Sequence, residues 1–186
     1  MLEVVTVVAV VVLLGSYTTW TAGRMDRLRG RVATTWATLD AQLVRRAAAA
    51  TELAAHARRH RLLPETVAKP MEEAGRLAAQ AQAAAREDVE NDLSRAIATA
   101  LAGPDLGAGE TTRRLHADLA EAVTRVGLAR QFYNDAVRDT LRLRRRWLPR
   151  LLRLRHRHEA PPRFFEIADT ELPGLAEVHA VRDGVT

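Results

Sequence analysis

Apolar and polar positions divide the chain into four stretches, each with its own period. Val4 to Gly23 carries no charged residue, and Val4 to Leu14 is apolar apart from Thr6. Twenty uncharged residues rising 1.5 Å each match a hydrocarbon core about 30 Å thick. The strongly apolar half alone is too short, so a membrane span needs Tyr17 and Trp20 at an interface. From there, Leu28, Val32, Trp36, Leu39, Leu43, Arg46, Ala50, Leu53 and Ala57 recur at steps of three or four. They predict one face of a helix running to about Leu62, ended by a turn before Pro64. Val67, Met71, Ala74, Ala78 and Ala81, then Val89, Leu93, Ile97 and Leu101, predict a second helix with Pro70 tolerated in its first turn. It ends at Gly103-Pro104, and the breaker-rich loop runs to Gly109. The third run has Leu115, Leu119, Ala122, Val126, Ala129, Tyr133, Val137 and Leu141, and Pro149 bounds it. The expectation is an all-α protein. A transmembrane helix comes first, and an antiparallel bundle of three to four long helices follows, each run being about 35 residues. Residues 1–23 are the short outer terminus and span, 24–158 the bundle, and 159–186 an irregular tail where Phe164, Phe165 and Ile167 can dock.

Two other readings of the first stretch fit less well. A secretory signal wants a basic start and small residues before its cut. This chain opens Met1-Leu2-Glu3 and has bulky Trp20 just before Ala22. A buried soluble helix would show a polar phase, and Val7 to Leu14 shows none. Arg24, Arg27, Arg29 and Arg31 follow the stretch and no Lys or Arg precedes it, so the positive-inside rule predicts an outer amino terminus and a cytoplasmic bundle. Gly30, near the start of the first helix, suggests a flexible joint beside the membrane.

Composition narrows the picture further. There is no Cys, which excludes disulfide scaffolds, thiolate metal sites and a Cys nucleophile. Aromatic residues are 4% of the chain, and Ala, Leu and Arg dominate, against a β-sandwich or barrel. Ala-rich faces bury little area per residue and leave open a homo-oligomer through a spare Ala/Leu stripe. The net charge of +5 is unevenly spread. Nine Arg lie between Arg142 and Arg163, against Glu159 as the only acid, with Trp147, Leu148, Leu151, Leu152 and Leu154 interleaved. Arg142, Arg144, Arg145, Arg146, Arg150, Arg153 and Arg155 are thus candidate contacts for an anionic partner. A solvated or protein-docking helix end, an anionic lipid surface and a nucleic acid all remain open. Three helices that leave, return and leave again place the tract about 50 Å from the bilayer at 1.5 Å per residue. That distance favours docking on a protein over lipid, with nucleic acid least favoured.

The third run contains Ala129-Arg130-Gln131-Phe132-Tyr133-Asn134-Asp135-Ala136-Val137. This resembles the AR-x-x-YN-x-x-V signature of the LemA family of bacterial membrane-anchored helical proteins. Trp36, Leu39, Gln42, Leu43, Arg45 and Arg46 resemble the W-x-x-hydrophobic-x-x-Q-x-x-R-R segment of its first helix. Gly103-Pro104-Asp105-Leu106 stands at its YPDL-like loop, and Phe164-Phe165-Glu166 resembles its FFE ending. Together these four segments and the anchor cover about residues 1–168. The resemblance implies a single-pass protein of the bacterial inner membrane with a helical-bundle domain, and it supplies no activity. Two departures bear on structure. Thr51-Glu52 stand where the family has a proline-asparagine pair, so the first helix should run straighter. Thr140-Leu141 replace a second aromatic-Asn pair.

The signature residues themselves read as structural. Tyr133 is in phase with Val126, Ala129 and Val137, so its hydroxyl needs a partner at the rim. Asn134 could bond a neighbouring helix and fix its register. Arg45 and Arg46 point about 100° apart, and Arg46, on the apolar stripe, is expected to pair with Asp88, Glu90 or Asp92. His56 and His60 share a helical face at i, i+4 spacing, but Arg58, Arg59 and Arg61 oppose a cation and no H-E-x-x-H motif is present. His156 and His158 lie in the Arg tract. No nucleophile, base and orienting group can be assembled, and no Gly-rich phosphate loop occurs. The sequence is therefore read as a non-enzymatic scaffold or interaction protein, without cofactor or metal, that binds the bilayer and a protein partner.

Overall fold

The computed structural model describes residues 1–102, 109–145 and 160–168. Among these residues it is all-helical. Helix α1 spans Leu2–Arg59, α2 Glu65–Gln80, α3 Arg86–Leu101 and α4 Glu110–Arg145. The Gly103-Pro104-Asp105-Leu106 loop and Arg146, Arg150, Arg153 and Arg155 lie outside the described residues.

The apolar stretch and the first periodic run form one unbroken helix. Gly30 does not interrupt it: an isolated glycine lowers helix propensity by about 1 kcal/mol, which the turns on either side offset. Thr51, in place of a proline, keeps its backbone N–H, and its hydroxyl donates to the Ala47 carbonyl at 2.8 Å. α1 stops where Arg61 adopts φ 55°. The Arg61 N–H reaches the Arg58 carbonyl at 3.2 Å and the Leu62 N–H the Ala57 carbonyl at 2.8 Å. This left-handed closure satisfies the last carbonyls and turns the chain toward Pro64, as the sequence predicts.

The second run differs from expectation. It forms two helices, with the chain leaving helical geometry at Ala81, where φ is −65° and ψ 133°. The stretch Ala79 to Ala85 has high helix propensity but no bulky apolar side chain to bury, so nothing there favours continuing straight. Breaking lets α2 and α3 pack on each other. The Arg86 guanidinium caps the end of α2 by donating to the Ala78 carbonyl at 2.7 Å. Pro70 is likewise displaced from its expected first-turn place. α2 begins at Glu65, so Pro70 lies inside the helix. Both Pro70 and Thr66, whose carbonyl loses its helical donor, are exposed, and water can take that bond.

The described residues fall into two compact units. One combines Thr38–Gln131 with the chain from Phe165. Its core draws on all four helices: Leu43, Ala50, Leu53, Met71, Leu93, Ile97, Leu115 and Leu119 are buried. The predicted stripes supply these layers, although one of the three runs splits. The other unit combines Met1–Ala37 with Phe132–Phe164. There Tyr133, Ala136, Val137, Thr140 and Leu143 of α4 are buried, as is Met25 of α1. Val4 to Leu14 is exposed throughout, and α1 is the one described helix long and apolar enough to cross a membrane.

Candidate functional site

In the second-half segment of α1, Arg45 and Arg46 diverge as their 100° separation requires. Arg45 is exposed, whereas Arg46 is 2% exposed. Of the three acids that could meet Arg46, the structure selects Glu90, which shares the buried face of α3 with Leu93, Ser94 and Ile97. Arg46 Nη2 donates to Glu90 Oε2 at 2.5 Å and Nη1 to Ser94 Oγ at 3.2 Å. The Ser94 hydroxyl in turn donates to the Glu90 carbonyl at 2.9 Å. Burial raises the Glu90 pKa above the usual carboxylate range, with the Arg46 charge pulling the other way.

A second pair was not anticipated from the sequence. Arg86, 3% exposed, donates to Asp40 as well as to the Ala78 carbonyl. The only available signal was Arg86 standing directly after the Ala-rich stretch, and its meaning depends on the α2–α3 turn.

The FFE segment docks as an irregular segment that buries alternate side chains. Phe165 and Ile167 are 3% and 5% exposed, while Phe164 and Glu166 face outward. The Glu166 N–H donates to Glu87 Oε1 at 2.9 Å and the Ala168 N–H to Asn91 Oδ1 at 2.7 Å. The spacings explain the fit. Two residues of extended chain advance about 6.6 Å and four residues of helix about 6 Å, so alternate amides of the segment meet acceptors at i and i+4 on α3. Arg130 completes the hold by donating from Nη1 to the Ile167 carbonyl at 3.2 Å. Phe164 was expected to dock with Phe165 but remains 39% exposed, because extended backbone sends neighbouring side chains to opposite faces.

In the other unit the Trp36 and Tyr133 rings lie 5.3 Å apart at 58°. The Tyr133 hydroxyl finds its rim partner in the Arg163 carbonyl, 2.9 Å away. Asn134 is half-buried and Val137 fully buried. Tyr133→Phe should therefore lower stability by about 1 kcal/mol, seen as a fall of about 2–4 °C in a thermal melt. An unchanged melting temperature would show that the bond contributes nothing.

Gln42 is half-buried, and its Oε1 is buried without a hydrogen-bond partner among the described residues. It lines a polar cleft of about 230 Å³ with Arg45, Asp118, Glu121 and Arg125. His56 Nε2 lies 3.1 Å from Thr112 Oγ1, and its pKa is lowered by desolvation and then by His60 and Arg59. No cluster of three or more metal-ligating side chains occurs among the described residues. Arg142, Arg144 and Arg145 form the basic last turn of α4. Between α2 and α3 lies a groove of about 680 Å³ floored by Ala74, Leu77, Val89 and Ala96. Its rim mixes Lys69 and Arg95 with Glu73 and Asp92, and Leu77 is 59% exposed.

These elements define a helical protein whose N-terminal apolar helix continues into a helical bundle, with a segment after α4 bonded by the α4 side chains Arg130 and Tyr133. Residues 35–174 match the LemA family model, and the chain belongs to the LemA family. The chain matches no curated protein and no solved structure.

Proposed function

We propose that this protein is a membrane-anchored scaffold that presents its helical bundle to a protein partner and performs no catalysis. The observation that carries this reading is the α2–α3 groove, an apolar floor with a mixed-charge rim and an exposed Leu77. Such a groove suits the apolar face of a partner helix. The uncharged stretch to Gly23 supplies a span of the bacterial inner membrane, and Arg24, Arg27, Arg29 and Arg31 keep the bundle cytoplasmic and the amino terminus outside. The second reading, binding of an anionic lipid surface or nucleic acid, draws on the basic last turn of α4.

A pull-down from detergent extract with the full chain separates the two. Leu77→Glu is expected to abolish capture of a partner or of a second copy, while Arg142→Gln with Arg145→Gln leaves it intact. Loss of capture only in the Arg variant would overturn the groove reading and favour the basic turn. Substitution is preferable to truncation, since removing the tail also removes buried Phe165 and Ile167.

A further inference from the structure

The unit formed by Met1–Ala37 and Phe132–Phe164 carries a partly open cavity of about 300 Å³ to which the scaffold reading gives no role. Its walls bring together the Trp36–Tyr133 aromatic pair, Thr140, Ala33 and two guanidinium groups, Arg29 and Arg144. None of the described lining residues is an acid, and Asp26, outside the lining, pairs with Arg29 Nη1 at 3.6 Å. The Nε of Arg144 is buried and has no acceptor among the described residues. A buried cationic donor without an acceptor is costly, and a ligand oxyanion would supply what is missing. Guanidinium forks match tetrahedral oxyanions in geometry as well as in charge.

We propose that this cavity is a binding site for a phosphate-type oxyanion, held by Arg29 and Arg144, with any apolar body of the ligand resting on Trp36 and Tyr133. Two sources of that chemistry meet the site. Arg29 follows Gly23 by six residues, about 9 Å of helix rise. The headgroup layer is itself about 5–8 Å deep on each side of the hydrocarbon core. A phospholipid headgroup is therefore within reach of the Arg29 side chain, and a free phosphate reaches the cavity from solution.

The test uses the full chain in lipid nanodiscs, with Trp20→Phe and Trp147→Phe leaving Trp36 as the only tryptophan. In phosphatidylcholine discs, inorganic phosphate is titrated against chloride at equal ionic strength. In a second arm, phosphatidylglycerol replaces part of the phosphatidylcholine and no phosphate is added. A saturable change in Trp36 emission in the first arm identifies a free anion. A change produced by phosphatidylglycerol, and reversed by excess phosphate, identifies the headgroup. Either outcome supports the site. Arg144→Ala should weaken it about tenfold or more, the equivalent of one charge-assisted contact. Ala33→Leu, at an exposed backbone position that tolerates a larger side chain, should weaken it by filling the cavity without altering charge. Arg145→Ala, the exposed neighbour, should leave binding unchanged. The proposal is overturned by a flat signal in both arms, or by Arg145→Ala weakening binding as much as Arg144→Ala does.

Discussion

Arg46→Ala and Glu90→Ala are each expected to destabilise the helical core by about 3–5 kcal/mol, because each strands a buried charge or acceptor beside its lost partner. Against a typical total of about 5–15 kcal/mol, either change alone brings the fold near its limit. The double replacement Arg46→Met with Glu90→Leu is expected to restore stability to within about 1 kcal/mol of the native chain or to exceed it. The reason lies in the pair itself. Arg46 Nε and Glu90 Oε1 are buried with no hydrogen-bond partner among the described residues, so the pair's desolvation is only partly offset. Ser94 keeps its bond to the Glu90 main-chain carbonyl in the double variant, so no new orphan is created there. Chemical denaturation of the three variants checks this, and a double variant as unstable as the singles would overturn it.

A pH series adds an independent reading of the same pair. The folded-state pKa of Glu90 is raised above its ordinary value of 4.5. Between that value and the raised one, the folded state holds more proton than the unfolded state. The Glu90 contribution is therefore full below pH 4.5 and lost as pH rises through the folded pKa. The double variant should lack this descent.

The second large effect concerns Gly75, buried on α2 against α1. A Cβ there would meet the Ala47 carbonyl oxygen at 2.9 Å and the Thr51 backbone nitrogen at 3.3 Å, with Thr51 Oγ1 closer still. Two of these atoms are backbone, and the third belongs to a side chain fixed by its bond to the Ala47 carbonyl. Gly75→Ala is expected to lose about 1–3 kcal/mol through overpacking, despite a helix-propensity gain of about 1 kcal/mol. Gly127→Ala in α4 is the internal contrast. Its Cβ would meet nothing within 4 Å, so the same substitution should stabilise by about 0.5–1 kcal/mol. Adding Thr51→Ala to Gly75→Ala should rescue only part of the loss, since the Ala47 carbonyl remains in place. Equal melting temperatures for the two Gly→Ala variants would show that α1 and α2 can separate without penalty.

The signature segments acquire physical roles in this fold. Arg130 holds the Ile167 carbonyl, and Tyr133 holds the Arg163 carbonyl. Glu87 and Asn91, which stood out in no motif, provide the acceptors for the same extended stretch. Periodicity could not reveal them, because on a helix read alone they are ordinary polar positions. Their function arises from the match between a two-residue step along the docked segment and a four-residue helix step.

Read alone, the sequence determined the elements that depend on local pattern. The uncharged stretch, the three apolar stripes, the turn before Pro64, the burial of Arg46 and the docking of Phe165 and Ile167 are all legible from spacing and chemistry. Each follows from which side chains a single helix or strand places together. Tertiary structure alone decided the matters that require two elements at once. It broke the second run at Ala81 although Ala favours helix, because pairing α2 with α3 buries more than a straight Ala-rich turn could. It chose Glu90 among three nearby acids, gave Arg86 its partners Asp40 and Ala78, and placed Gly75 where α1 leaves no room for a Cβ. Local periodicity states which face of each helix is buried. Only the packed helices state what that face meets.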